Sequence, residues 1–319
     1  MGYANRVYIV IVFICTVLGV KAQQEPQFTQ YMFAPMAYNP AFAGTSGNIS
    51  VTGLLREQWV GFTDATGTRV SPRTFFLSVD APLRILHGGV GLTILSDKLG
   101  YEQNIGLKLS YAYITDFRSG EISFGPTLGL MNRSIDFASL NPLESGSDPL
   151  LNGTDADKPM MFDVGLGVLY RVPGKYYMGF AASQLIQSTG SLGDEPNYQN
   201  KRHLYLQGGY EYVIPDYPLY EVEPSVLIKT DMVSYQVDLT GRVTYNQKFW
   251  GAVSYRITDA IAILLGIKIK QLSVGYSYDI TTSKLGSAGS SGSHEIVVNY
   301  SFKLDLDKNP KSYRNTRFL

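Results

Sequence analysis

Leu272-Ser-Val-Gly-Tyr-Ser-Tyr-Asp-Ile280 decides how this chain is read. Leu272, Val274, Tyr276, Tyr278 and Ile280 alternate with Ser273, Gly275, Ser277 and Asp279. A period of two is a strand with one apolar face and one small or polar face. The same pattern recurs outward along the chain. Ile296, Val298, Tyr300, Phe302 and Leu304 alternate with Val297, Asn299, Ser301 and Lys303. Upstream, Ile105, Leu107, Leu109, Tyr111 and Tyr113 form one such row, and Phe162, Val164, Leu166, Val168 and Tyr170 another. Most runs reach about 9–12 residues, against the usual 5–6 of soluble sheets. A tilted strand needs about 9–11 residues to cross a bilayer. Periodicity alone does not say which face of the sheet is inside.

Fourteen strands are expected, near 48–56, 73–81, 89–97, 102–115, 121–134, 161–172, 175–184, 203–213, 219–230, 234–244, 247–256, 260–269, 271–281 and 294–304. An even count puts both ends of the sheet on one side of a membrane, as in bacterial outer-membrane barrels. The connections after even strands are short, for example Pro173-Gly174 and Lys270-Gln271. The four long ones, 57–72, 135–160, 185–202 and 282–293, all follow odd strands. Short periplasmic turns and long outer loops are the outer-membrane pattern. Tyr111, Tyr113, Tyr170, Tyr176, Tyr210, Tyr212, Tyr220, Tyr245, Phe249, Tyr300 and Phe302 fall near the even turns or the last strand end. Amphipathic rings are favoured at a membrane interface, so these predict a girdle on the periplasmic side.

The N-terminus reads as an export signal. Arg6 precedes the apolar run Val7–Val20, and Val20-Lys21-Ala22 places small residues at −3 and −1 of a cleavage site. The run is too short for a spanning helix. Cys15 is the single cysteine and lies inside this segment, so a processed chain has no disulfide and no thiolate site. Removing residues 1–22 takes two basic residues and no acid from 27 of each, leaving a net charge of −2. That disfavours a nucleic-acid binder. Low charge (17%) with 32 Gly and 23 Tyr suits a β-rich chain with an apolar exterior. The chain thus divides into a signal peptide at 1–22, a cap or plug at 23–47, a transmembrane β-barrel at 48–304 and a basic periplasmic tail at 305–319.

The polar faces carry Lys108, Asp163, Arg171, Glu211, Glu221, Glu223, Lys229, Asp238, Arg242, Arg256, Lys268 and Asp279. A basic residue facing lipid at the midplane costs about 2–4 kcal/mol, so these charges are expected to face the lumen. Their mixed signs suit ion pairs better than an ion filter. Fourteen strands enclose more space than side chains alone fill. The segment 23–47, with Phe28, Tyr31, Met32, Phe33, Met36, Tyr38 and Phe42, is too aromatic for a disordered arm. It is expected to pack against or inside the periplasmic mouth, and the sequence leaves open which.

No catalytic set, cofactor or metal site is expected. The three histidines, His87, His203 and His294, fall on different turns and rims, and neither Gly-x-Ser-x-Gly nor His-Glu-x-x-His occurs. Asn152–Asp157 is an acidic loop without the bidentate Glu of a Ca²⁺ loop. The Gly/Ser-rich run 286–293 reads as a mobile outer loop.

Two terminal segments resemble a known family. Gln27-Phe-Thr-Gln-Tyr-Met-Phe33, followed by Tyr38-Asn-Pro-Ala-Phe-Ala-Gly44, is similar to the N-terminal signature of PorP/SprF proteins. Pro310-Lys-Ser-Tyr-Arg-Asn-Thr-Arg-Phe-Leu319 resembles their basic C-terminal tail. The resemblance implies an outer-membrane barrel of the type IX secretion system of Bacteroidota. It implies a non-enzymatic role in secretion or display of proteins with a C-terminal sorting domain, gliding adhesins among them. It also implies periplasmic partners: a lipoprotein ring, a peptidoglycan-binding lipoprotein or a secreted cargo. Candidate partner-binding residues are Phe28, Gln30, Tyr31, Phe33, Tyr38, Asn39 and Pro40 in the cap, and Tyr313, Arg314, Asn315 and Arg317 in the tail. With Lys308 and Lys311, the tail arginines could dock an acidic periplasmic partner. The alternative is a hatch-gated transporter of small hydrophobic molecules, since Asn39-Pro-Ala41 matches a triplet of fatty-acid transporter hatches. The charged inward faces count against it.

Overall fold

The computed structural model describes residues 25–64, 67–136, 160–192, 195–283 and 290–302. The expected signal peptide, the acidic loop 152–157 and the tail 305–319 lie outside the described residues. Fourteen strands form the body: β1 (Ile49–Glu57), β2 (Arg73–Leu83), β3 (Gly88–Leu99), β4 (Glu102–Phe117), β5 (Gly120–Ile135), β6 (Met160–Val172) and β7 (Tyr176–Ser183). Then follow β8 (His203–Tyr210, continued by Tyr212–Val213), β9 (Tyr220–Thr230), β10 (Tyr235–Tyr245), β11 (Phe249–Arg256), β12 (Ala260–Ile269), β13 (Leu272–Thr281) and β14 (Ser293–Phe302). Each strand pairs antiparallel with the next, and β1 pairs with β14 from Ile49↔Phe302 to Glu57↔His294. The sheet is therefore a closed barrel with no free edge, one of the two architectures that satisfy every backbone group in lipid. Among the described residues, no helix is long and apolar enough to cross a membrane.

The register settles which face is inside. Leu272, Tyr276 and Ile280 are exposed on the outer surface, while Gly275, Ser277 and Asp279 are buried. Leu107, Leu109, Phe162 and Leu166 are exposed likewise, and Ser110, Asp163 and Gly165 are buried. The apolar rows face outward, as lipid requires.

The two ends differ. One carries tight turns. Between β10 and β11, Asn246 and Gln247 both have positive φ, and Lys248 N–H donates to Tyr245 C=O at 3.0 Å. That mirror-image turn matches the right-handed strand twist. Aromatic pairs gather at this end: Tyr220–Tyr245 (5.0 Å), Tyr300–Phe302 (4.5 Å) and Tyr170–Tyr176 (6.1 Å). The other end carries the long loops. Val60 of the first exchanges backbone hydrogen bonds with Ser291 and Gly292 of the last. A small hairpin, Thr189–Leu192 with Glu195–Gln199, stands in the loop between β7 and β8.

Candidate functional site in the plugged lumen

Residues 25–48 do not stop at the mouth beside β1. They run the length of the lumen in three single-turn 3₁₀ segments, Tyr31–Phe33, Pro35–Ala37 and Pro40–Phe42. Two of the three begin with proline, whose fixed φ starts a turn and whose missing N–H leaves no orphan donor there. At the short-turn end, Phe42 packs edge-on against Tyr177 of β7 (5.8 Å) and Gly44 N–H donates to Asp80 Oδ2 of β2 (3.0 Å). At the long-loop end, Gln27 Nε2 donates to Gln236 Oε1 near the start of β10 (2.7 Å). The plug therefore occupies the lumen, the choice the sequence left open. Its first signature stretch, 27–33, lies toward the long-loop side of the second.

Two kinds of contact hold it. Below, inward glycines accept it. A Cβ on Gly125 would stand 2.5 Å from Ala41 N, and one on Gly89 would stand 2.3 Å from Ala43 O. Asn39 caps its turn by accepting Ala41 N–H at 3.0 Å, and its Nδ2 donates to Val168 C=O of β6 at 3.1 Å. Above, Phe28, Tyr31 and Tyr38 pack with Leu54, Phe76, Tyr205, Leu227 and Val297 from around the wall. Burying each such side chain contributes about 1.5–3 kcal/mol. The core of this molecule is the interface between plug and barrel. Burial also pushes the Tyr38 hydroxyl well above its usual range, while it accepts Phe28 N–H at 3.1 Å.

A string of six buried charges of alternating sign crosses the upper lumen. Glu295 Oε2 meets Arg56 Nη1 (3.1 Å), and Arg56 Nη2 meets Asp279 Oδ2 (2.8 Å). Arg256 lies 3.5 Å from Asp279 and donates to Asp238 Oδ1 (2.7 Å), which is flanked by Lys229 (3.3 Å). The plug is tied into this string. Thr29 and Gln30 N–H groups donate to the Glu295 carboxylate (2.9 and 2.7 Å), and Thr29 Oγ1 donates to Asp279 Oδ2 (2.6 Å). Lower down, Arg242 pairs with Glu223 and lies over the Phe33 ring at 5.1 Å, while Phe33 meets Trp250 at 4.9 Å.

The expected lumen charges fall as follows. Lys229, Asp238, Arg256 and Asp279 join the upper string, and Lys108 lies 3.4 Å from Asp163. Arg171 pairs with Glu121 (3.0 Å), and Glu223 with Arg242. Glu211 interrupts β8, its N–H bonded to Lys175 C=O, and Lys268 is exposed near the short-turn end. Arg56 and Glu295, each 1% exposed, were not singled out from sequence. Their parity with Leu54 and Val297 was the available signal. Phe28, Gln30, Tyr31, Tyr38, Asn39 and Pro40 are buried against the wall and Phe33 is half-buried, so in this arrangement they meet the barrel and no outside surface. Tyr313, Arg314, Asn315 and Arg317 lie outside the described residues. The three histidines are apart: His87 on a tight turn, His203 buried beside Tyr205, and His294 bonded to the Tyr276 hydroxyl (2.7 Å). Among the described residues, no group of three or more His, Cys, Asp or Glu is arranged to hold a metal.

A family model described as type IX secretion system membrane protein PorP/SprF matches residues 20–300. The chain belongs to this family. It is a PorP/SprF outer-membrane β-barrel, and its membership supports a role in type IX secretion. No curated protein matches it. Among solved structures, it is similar to the KdgM porin at 11% identity, over 80% of this chain and 99% of that one, with a TM-score of 0.40. It is similar to the P. putida toluene transporter TodX at 12% identity, over 90% and 97%, with a TM-score of 0.47. An outer membrane protein of Acinetobacter baumannii aligns at 8% identity over 81% and 98%, with a TM-score of 0.46. Likeness at this level says nothing of what a PorP/SprF chain binds.

Proposed function

We propose that this protein serves type IX secretion as a closed scaffold, working through protein contacts and without conducting or catalysing. It would support secretion or surface display of proteins with a C-terminal sorting domain, gliding adhesins included. The observation that carries the reading is the plugged lumen. The plug is tied to strands around the wall by buried charges and close-packed glycines, which suits a body that presents its ends more than one that passes solutes. By the outer-membrane pattern the short-turn end faces the periplasm. There the rim offers Ile85, on the turn between β2 and β3, and Tyr217, on the turn between β8 and β9, both strongly exposed. A periplasmic lipoprotein ring or peptidoglycan-binding lipoprotein with an acidic face fits this end. The plug residues of the signature would meet such a partner only after leaving the lumen.

Photo-crosslinking in cells tests this. A photoreactive side chain at Ile85, Tyr217 or Tyr313 should capture periplasmic components of the secretion system, and one at Ser291 should not. Equal yields from both ends, or no secretion component from the rim and tail, would reject the scaffold.

A further inference from the structure

Among the described residues, the lumen keeps a cavity that the plug leaves unfilled. It lies in the long-loop half, between the plug and β2–β6. Its apolar wall is Phe28, Phe76, Leu95 and Met131, and inward Gly106 and Gly129 keep it open. Its charged lining is Glu25, Asp97 and Asp163 against Lys108 alone, a surplus of two carboxylates.

The fully buried polar atoms without hydrogen-bond partners there are all acceptors, and Lys108 Nζ, ion-paired to Asp163 (3.4 Å) and Glu25 (3.8 Å), is the one cation of the lining. Asp163 is 5% exposed, and neither carboxylate oxygen has a hydrogen-bond partner, with Lys108 Nζ standing off at 3.4 Å. Gln184 is also 5% exposed, and its Oε1 has no partner. The amide orientation of Gln184 is fixed, because Nε2 donates to Glu25 Oε1 at 2.9 Å. Asn104, nearer the mouth, repeats the pattern: Nδ2 donates to Glu102 Oε1 at 2.7 Å and Oδ1 is left without a partner. Leaving buried acceptors unmet costs about 1–3 kcal/mol each, so a ligand that meets them is favoured. An ammonium offers three donors and no acceptor. A carboxylate or phosphate would add acceptors and repulsion to a site that has both already.

We propose that this cavity binds a small amphiphilic primary amine, with its ammonium at Asp163 and Gln184 and its apolar body against Phe28, Phe76 and Leu95. The site is independent of the scaffold role and does not require transport.

The test is calorimetric titration of the full-length protein in detergent at pH 7 with 2-phenylethylamine, 2-phenylethanol and 3-phenylpropanoate. The amine should bind saturably, the alcohol at least tenfold more weakly and the carboxylate not at all. Asp163→Asn should weaken the amine tenfold or more. Gly106→Leu should weaken binding tenfold or more by projecting a side chain into the cavity, since a Cβ there meets nothing closer than 3.9 Å and the strand can accept it. No saturable binding of the amine, equal binding of amine and alcohol, or unchanged affinity in folded Asp163→Asn would each overturn the proposal. Should Asp163→Asn fail to fold, the amine-to-alcohol ratio on the unaltered protein and the Gly106→Leu result decide it.

Discussion

Arg56 is 1% exposed and spends its guanidinium on Asp279, Glu295 and the Thr29 hydroxyl. Removing one member of such a set strands the others in a medium that cannot solvate them. Arg56→Met is expected to destabilise the folded barrel by about 3–5 kcal/mol, measured by denaturant unfolding in detergent. The half-exposed pair Arg73–Glu57 is the contrast, and Arg73→Met should change stability by less than about 1 kcal/mol. Glycines divide in the same way. A methyl group on Gly89 meets backbone of the plug at 2.3 Å, whereas one on Gly241 meets nothing within 4 Å. Gly89→Ala should cost about 1–3 kcal/mol and increase proteolysis of the plug, while Gly241→Ala should do neither. Sequence could show that both glycines lie in strands. It could not show which one faces a plug backbone, because that contact joins residues 43 and 89 through space.

At the scale of the element, the plug is a chain of short turns held at both ends, and its upper anchor titrates. Burial by itself would raise the Glu25 carboxyl. Lys108, 3.8 Å away, and then His203 hold it below the ordinary value. A carboxyl lowered on folding contributes stability that is full above its unfolded pKa, about 4.3, and lost as pH falls through the lower folded value. Between pH 5 and 3 the unaltered protein should therefore lose an increment of stability that Glu25→Gln lacks; parallel pH profiles would show that Glu25 anchors nothing. Deleting residues 25–30 removes the ties to Glu295 and Asp279 but keeps the lower packing. In planar bilayers that variant should conduct more than the intact chain, whose lumen is plugged. The aromatic content of 23–47 made a packed element legible in sequence. Its path through the lumen was not, since the inward glycines and the partners of Thr29 and Gln30 come from strands up to 266 residues away.

For the whole molecule, sidedness follows from loop length. Cys15 is the single cysteine of the sequence, so introduced thiols at surface sites can be read one at a time. In intact cells a membrane-impermeant maleimide should label Ser291→Cys, and should label Tyr217→Cys only after the outer membrane is permeabilised; the reverse pattern would invert the barrel. Fourteen strands, their alternation, the even count and the long odd loops were all written in local order. Period-two patterning acts between neighbouring residues, and a lipid-facing strand is long enough to show it many times. Closure of β1 onto β14, the six-charge string and the open cavity were decided only in three dimensions. Each joins side chains whose strands meet around a ring, and no local pattern encodes which inward positions stand opposite one another. Local sequence thus determined a membrane-spanning sheet with charge on one face, and tertiary structure decided that this charge grips the protein's own N-terminal segment.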